Sequence, residues 1–114
     1  MRSDGKLDYL ELPATALPET KAFYTAAFGW TFQDYGPSYA AFDQGLDGGF
    51  DADAAARSKA PLPILYAHDL EAMLAGVEAA GGEIVKPIYA FPGGRRFHFR
   101  DPSGNELAVW SEAG

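Results

Sequence analysis

From Leu7 to Leu12 polar and apolar residues alternate, with Leu10 and Leu12 set against Asp8 and Glu11, which predicts a strand that Pro13 ends. Pro18 suits the first turn of a helix, and Glu19 beside it complements the positive end of the helix dipole. Phe23, Tyr24, Ala27 and Phe28 recur at helical spacing, and Gly29 is a natural C-terminal stop. Trp30, Phe32 and Tyr35 begin a second strand, and Gly36-Pro37-Ser38 reads as a turn. Tyr39 to Phe42 is a third strand, and Gly45 to Phe50 holds a short fourth. Asp51 to Pro63 changes character: it is rich in Ala and Asp, then basic, then bounded by prolines, as a surface linker would be.

The pattern then restarts. Leu62 to Ala67 is an apolar strand. Asp69 can cap a helix that places Leu70, Met73, Leu74 and Val77 on one face, and Gly81-Gly82 stops it. Glu83 to Val85 begins a strand, Phe91 to Gly94 is a turn, and Arg95 to Arg100 is a strand. Asp101-Pro102-Ser103-Gly104-Asn105 is a tight turn, after which Glu106 to Trp110 returns as the last strand of a hairpin. Sliding the chain by 53 positions lays Leu17 on Leu70 and Gly29 on Gly82, so strand, helix, glycine and strand recur in order. The expectation is one α+β domain over residues 1–114, built from two βαβββ modules, about 6–50 and about 62–112, with a linker at about 51–61.

The chain has 114 residues, a length that suits one domain, and its 47% hydrophobic content can form a modest core. So short a chain gains from pairing, and a homodimer is expected. A net charge of −7 argues against nucleic acid and against an anionic membrane surface. With no cysteine, disulfides, thiolate metal sites and cysteine nucleophiles are excluded. The polar start and the lack of a long apolar run leave a cytoplasmic location as the default expectation. Gly93-Gly94-Arg95-Arg96 lacks the strand-loop-helix setting and the lysine of a phosphate loop, and no nucleophile-elbow pattern is present.

Leu10 to Thr15, Lys21 to Tyr24 and Phe28-Gly29-Trp30 resemble the opening of vicinal oxygen chelate proteins, the glyoxalase, bleomycin-resistance and dioxygenase superfamily. The end, Phe97-His98-Phe99-Arg100-Asp101-Pro102-Ser103-Gly104-Asn105-Glu106-Leu107, resembles it more sharply, and Leu70 to Gly82 fits the helix between. The match is to the small group related to lactoylglutathione lyase. The resemblance implies a cupped mixed sheet, helices on its convex side and the site on the concave face. Enzymes of the family hold a divalent metal there through His, Gln or Glu from four strands, whereas bleomycin-binding members carry none, so fold does not settle function.

Carried onto this chain, the family's ligand positions fall on Tyr9, Leu62 and Ala108, with a fourth near Phe50, where Asp47 or Asp51 is the candidate. Leucine and alanine have no donor atoms, so no metal and no other cofactor is expected. Strand alternation then puts Tyr9, Glu11, Tyr66, Arg96, His98 and Trp110 on the concave face. In the closing hairpin Arg100 should lie opposite Glu106, His98 opposite Ala108 and Arg96 opposite Trp110.

His98 is read either as a general base, with Glu11 orienting it or acting as partner acid, or as a sheet histidine bonded to a neighbour. Arg96 is a candidate for a ligand carboxylate or phosphate, or for a cross-strand pair. Tyr9, Tyr66 and Trp110 are candidates to stack on a flat ligand, or plain packing. His68 is read as a surface loop residue. The functions left open are a metal-free protein that sequesters an aromatic or planar small molecule, a lyase or isomerase working through His98 and Glu11, and a divergent metal-dependent glyoxalase- or dioxygenase-like enzyme.

Overall fold

The structure, a computed structural model, describes residues 2–112. Its elements run β1 (Leu7–Pro13), α1 (Leu17–Phe28), β2 (Gln33–Asp34), β3 (Tyr39–Asp43), β4 (Asp47–Asp51), β5 (Leu62–Tyr66), α2 (Leu70–Ala79), β6 (Glu83–Phe91), β7 (Gly94–Arg100) and β8 (Glu106–Glu112). This is an α+β protein with the order βαβββ stated twice. Two compact units are present, residues 9–62 and the N-terminal residues to Asp8 with the chain from Pro63 on.

In the unit of residues 9–62 the strand order is β2-β3-β4-β1, with β4 parallel to β1 and antiparallel to β3. Leu17 enters α1 without a side-chain cap, and Gly29 closes the helix at φ 75°, a left-handed conformation that costs glycine nothing. Leu17, Ala40, Phe42 and Phe50 form the buried core of this unit, with Leu12, Tyr24, Trp30 and Phe32 packed on it. The helical stripe is narrower than its sequence suggests, because Phe23 and Phe28 remain 59% and 64% exposed. The second strand is also shorter than expected and pairs only at Gln33 and Asp34. Trp30 and Phe32 instead join a ring cluster, Trp30 stacked 4.7 Å from Tyr24 and 4.9 Å from Phe42. Burial of two large rings outweighs the ladder bonds those residues would have made.

In the other unit the order is β5-β8-β7-β6, β5 and β8 parallel, the remaining neighbours antiparallel. Gly5 N–H donates to the Tyr66 carbonyl at 2.9 Å and Tyr66 N–H to the Lys6 carbonyl at 3.2 Å, which ties the N-terminus to β5. Asp69 caps α2 by accepting from Ala72 N–H at 3.0 Å. Leu70, Phe97, Val109 and Ala67 make the core, with Met73, Leu74, Val77 and Phe99 against it. The 101–105 turn is held by Asp101, which accepts from the backbone of Ser103 and Asn105 at 2.9 Å each.

Candidate functional site

Ladder register fixes which side chains share the sheet face turned away from α2. One rung runs Tyr66–Trp110–Arg96–Tyr89 across β5, β8, β7 and β6, and the next runs Ile64–Ala108–His98–Lys86. The expected pairs Arg96–Trp110, His98–Ala108 and Arg100–Glu106 are all found. Phe97, Phe99 and Val109 go to the helix side because successive strand residues point to opposite faces.

His98 is 1% exposed, and both of its ring nitrogens are engaged. Nδ1 lies 2.9 Å from Glu106 Oε2, and Nε2 lies 2.8 Å from the Tyr89 hydroxyl. Arg96 Nε donates to that same hydroxyl oxygen. Arginine can only donate, so the Tyr89 oxygen accepts from it. A carboxylate only accepts, so Nδ1–H donates to Glu106, and in the neutral ring Nε2 carries no proton and accepts from Tyr89 O–H. Burial pushes the His98 pKa below its usual value; the Glu106 bond opposes this, and the Arg96 and Lys86 charges add to it.

The expectation that Glu11 orients His98 is corrected by this geometry, since Glu106 and Tyr89 occupy both nitrogens. Arg100, although opposite Glu106 in register, pairs with Glu83 at 2.9 Å, which leaves the Glu106 carboxylate to the diagonal neighbour.

Trp110 lies between Tyr66, edge-on at 5.4 Å, and Phe91 at 6.2 Å. Its Nε1–H donates to Asp8 at 2.9 Å, and the Arg2 guanidinium is 5.0 Å from its ring. Arg96 lies 5.5 Å from the Tyr89 ring and 5.7 Å from the Phe91 ring, both in cation–π range. Tyr66 is only 3% exposed and donates to Glu112 at 2.8 Å; it backs Trp110 rather than presenting a free ring face. His68 is a loop residue whose Nδ1 meets Asp4 at 2.7 Å.

In the unit of residues 9–62, Tyr9 and Glu11 share one face of β1 with Gly49, which lies opposite Glu11. Tyr39 Oη donates to Glu11 at 3.2 Å and meets Tyr9 Oη at 2.6 Å. Since a carboxylate only accepts, Tyr9 is the donor of the second bond. Burial, then the nearby Glu11 charge, push the Tyr39 pKa far up, so the phenol stays protonated. Tyr39 reaches this position over Gly49, where a Cβ would stand 2.6 Å from the ring Cζ. Phe50, near which the fourth ligand position was placed, belongs to the core.

Tyr89, Glu106 as the partner of His98, and Tyr39 were not singled out from the sequence. Tyr89 is three residues from Lys86, so simple alternation puts the two on opposite faces. Register shifts on both sides of Lys86 bring them to the same one. Pro87, which cannot donate to a ladder, and the place of β6 at the end of the strand order were the available signals. A separate depression of about 370 Å³, lined by Thr31, Phe32, Gln33 and Ala41 to Gln44, holds none of the expected site residues.

The donor set does not fit the metal of the family enzymes. Leu62 and Ala108 offer no donor atom. Among the described residues no group of three His, Asp or Glu side chains is placed to hold an ion.

The sequence matches the Glyoxalase/Bleomycin resistance protein/Dioxygenase superfamily over residues 6–109, and the chain belongs to that superfamily. Solved structures share the fold. An NAD-dependent benzaldehyde dehydrogenase from Legionella pneumophila aligns with a TM-score of 0.76 at 13% identity, over 92% of this chain and 98% of that one. A methylmalonyl-CoA epimerase from Mycobacterium tuberculosis gives 0.72 at 13%, over 100% and 92%. A Mn(II)-bound glyoxalase from Novosphingobium aromaticivorans gives 0.67 at 24%, over 97% of this chain and 40% of that one. Neighbours named for such different activities establish the fold alone. No curated protein matches the chain. No helix among the described residues is long and apolar enough to cross a membrane.

Proposed function

We propose that this chain is a metal-free small-molecule-binding protein of the glyoxalase-like superfamily, which takes a planar ligand bearing an oxygen function. The observation that carries this reading is the rung Trp110–Arg96–Tyr89 with Phe91 beside it: aromatic rings around one guanidinium. Flat ring faces favour a planar partner, and a guanidinium favours an oxygen acceptor on it. Tyr66 holds Trp110 from behind. The ligand leaves unchanged, as in sequestration.

The probe we would use is 4-nitrophenol, followed by quenching of tryptophan fluorescence. Trp110→Ala is expected to weaken its binding about tenfold, the size of one good ring contact. Equal affinity in the variant would sink the reading.

A second reading, a metal-free lyase or isomerase, is favoured by the Tyr89–His98–Glu106 chain, a form of acid–base machinery. In that reading Glu106 takes the orienting role first given to Glu11.

We also propose that the protein pairs as a homodimer. This rests on Phe23 and Phe28, exposed and edge to face at 6.3 Å on α1, an apolar patch that a second copy would cover. Sedimentation velocity at micromolar concentration is expected to show a species of twice the 12.2 kDa chain mass. A monomer would overturn the pairing.

A further inference from the structure

We propose that residues 2–6 form a strap closed over Trp110, and that the planar ligand binds only after Arg2 leaves that ring. The inference rests on the binding reading above and adds its regulation: the chain competes with its own ligand for one ring. All the residues concerned lie in the unit formed by the N-terminal residues and the chain from Pro63 on.

The strap is built by a turn. Gly5 takes φ 71°, a left-handed conformation open to glycine, and Lys6 N–H reaches back to the Ser3 carbonyl at 3.4 Å. The chain reverses there, and Arg2 comes back alongside Asp8 on β1, Nε to Oδ2 at 3.3 Å. That carboxylate oxygen also accepts from Trp110 Nε1–H at 2.9 Å. One carboxylate thus holds the indole and the guanidinium together, with the guanidinium 5.0 Å from the ring centroid, in cation–π range.

The other end is latched. Asp4 Oδ1 accepts from the His68 backbone N–H and lies against its Nδ1, both at 2.7 Å. His68 stands edge-on to the Tyr66 ring at 5.0 Å, and Tyr66 is the ring that backs Trp110. Asp4 thus bears on Trp110 through the strap.

These holds are of a kind that opens. Arg2, Asp4 and His68 are all exposed, and ion pairs in water contribute little. Asp8 is half-buried and sits in a strand. It stays in place when Arg2 leaves, and Trp110 keeps its bond. Opening therefore bares a ring that is already held in one orientation. A ligand that takes this ring meets only the open form, so its apparent affinity falls with the fraction of closed strap. Loosening the strap tightens binding, the opposite of what loss of a ligand contact does.

The experiment has two arms, both on the full chain. The first needs no ligand: acrylamide quenching of tryptophan fluorescence in wild type and Arg2→Ala. The variant is expected to quench more steeply, and the difference to vanish in a Trp110→Phe background, where Trp30 is the only tryptophan left. An unchanged slope in Arg2→Ala overturns the strap whatever binds.

In the second arm 4-nitrophenol is titrated at a pH below its own pKa, where the probe is neutral and the charge of Arg2 does not attract it. Bonds from the His68 backbone and ring hold the Asp4 carboxyl below its usual range, so the latch stays ionised there. Arg2→Ala is expected to bind the probe about fivefold more tightly than wild type, the size of one exposed guanidinium–ring contact. Asp4→Ala is expected to gain about twofold, the size of one exposed ion pair. Equal or weaker binding in Arg2→Ala overturns the proposal and leaves the binding reading standing. So does a gain at Arg2 with none at Asp4, since a strap loosens from either end. No quenching by 4-nitrophenol in any of the three proteins removes the binding reading and this proposal with it.

Discussion

Phe97→Ala is expected to cost the protein about 3–5 kcal/mol of folding stability, the usual range for truncating a fully buried phenylalanine. Phe97 is 0% exposed and lies at the centre of the cluster of Ala67, Leu70 and Val109, 6.3 Å from the Phe99 ring. It is the side chain through which β7 meets α2 and β8. Two terms add: the transfer of the lost ring to water, and the cavity that sheet and helix cannot close. A small domain has about 5–15 kcal/mol in total, so the variant stands near unfolding at room temperature. Urea unfolding followed by circular dichroism measures the difference. Phe91→Ala is the comparison, since Phe91 is only partly buried and lies outside the core cluster; a small loss is expected there. A loss at Phe97 no larger than at Phe91 would show that the second core is not packed as described.

His98→Ala is expected to cost about 1–3 kcal/mol, through the cavity left by a fully buried ring and the loss of its bonds to Tyr89 and Glu106. It should also change how stability depends on pH. Burial lowers the His98 pKa below its unfolded value of 6.5, so the folded state favours the neutral ring. The unfolded chain then binds more protons, and stability rises with pH through this window. The contribution is fully present above 6.5 and is lost as pH falls from there through the folded pKa. Protonation also breaks the bond that Tyr89 donates to Nε2. Thermal melts of wild type and variant across this range separate the effect from the general titration of carboxylates. A constant gap between the two curves would mean that His98 keeps its unfolded pKa.

Much of this protein was legible in its residues. The starts of both helices, at Leu17 and Leu70, agree with the 53-residue repeat. β4 ends at Asp51 and β5 begins at Leu62. The face assignment in the last hairpin was correct residue by residue, because a tight turn fixes register and register fixes alternation. The site was legible only as a set of positions. Arg96, His98 and Trp110 were placed on the right face, but the alternation assigned His98 the wrong orienting partner.

The physical reason is one of range. Strand period, helix stripe, caps and turns are local, and the sequence by itself determined them, together with the superfamily. The tertiary structure decided what depends on reach across strands. A ladder irregularity around Lys86 and Pro87 carries Tyr89 onto the face of His98. A glycine at 49 lets the Tyr39 ring cross to Glu11. The preference of Arg100 for Glu83 frees Glu106 to hold an imidazole one rung away. Each is a choice among partners several ångströms apart, settled by side-chain length and burial rather than by any spacing along the chain.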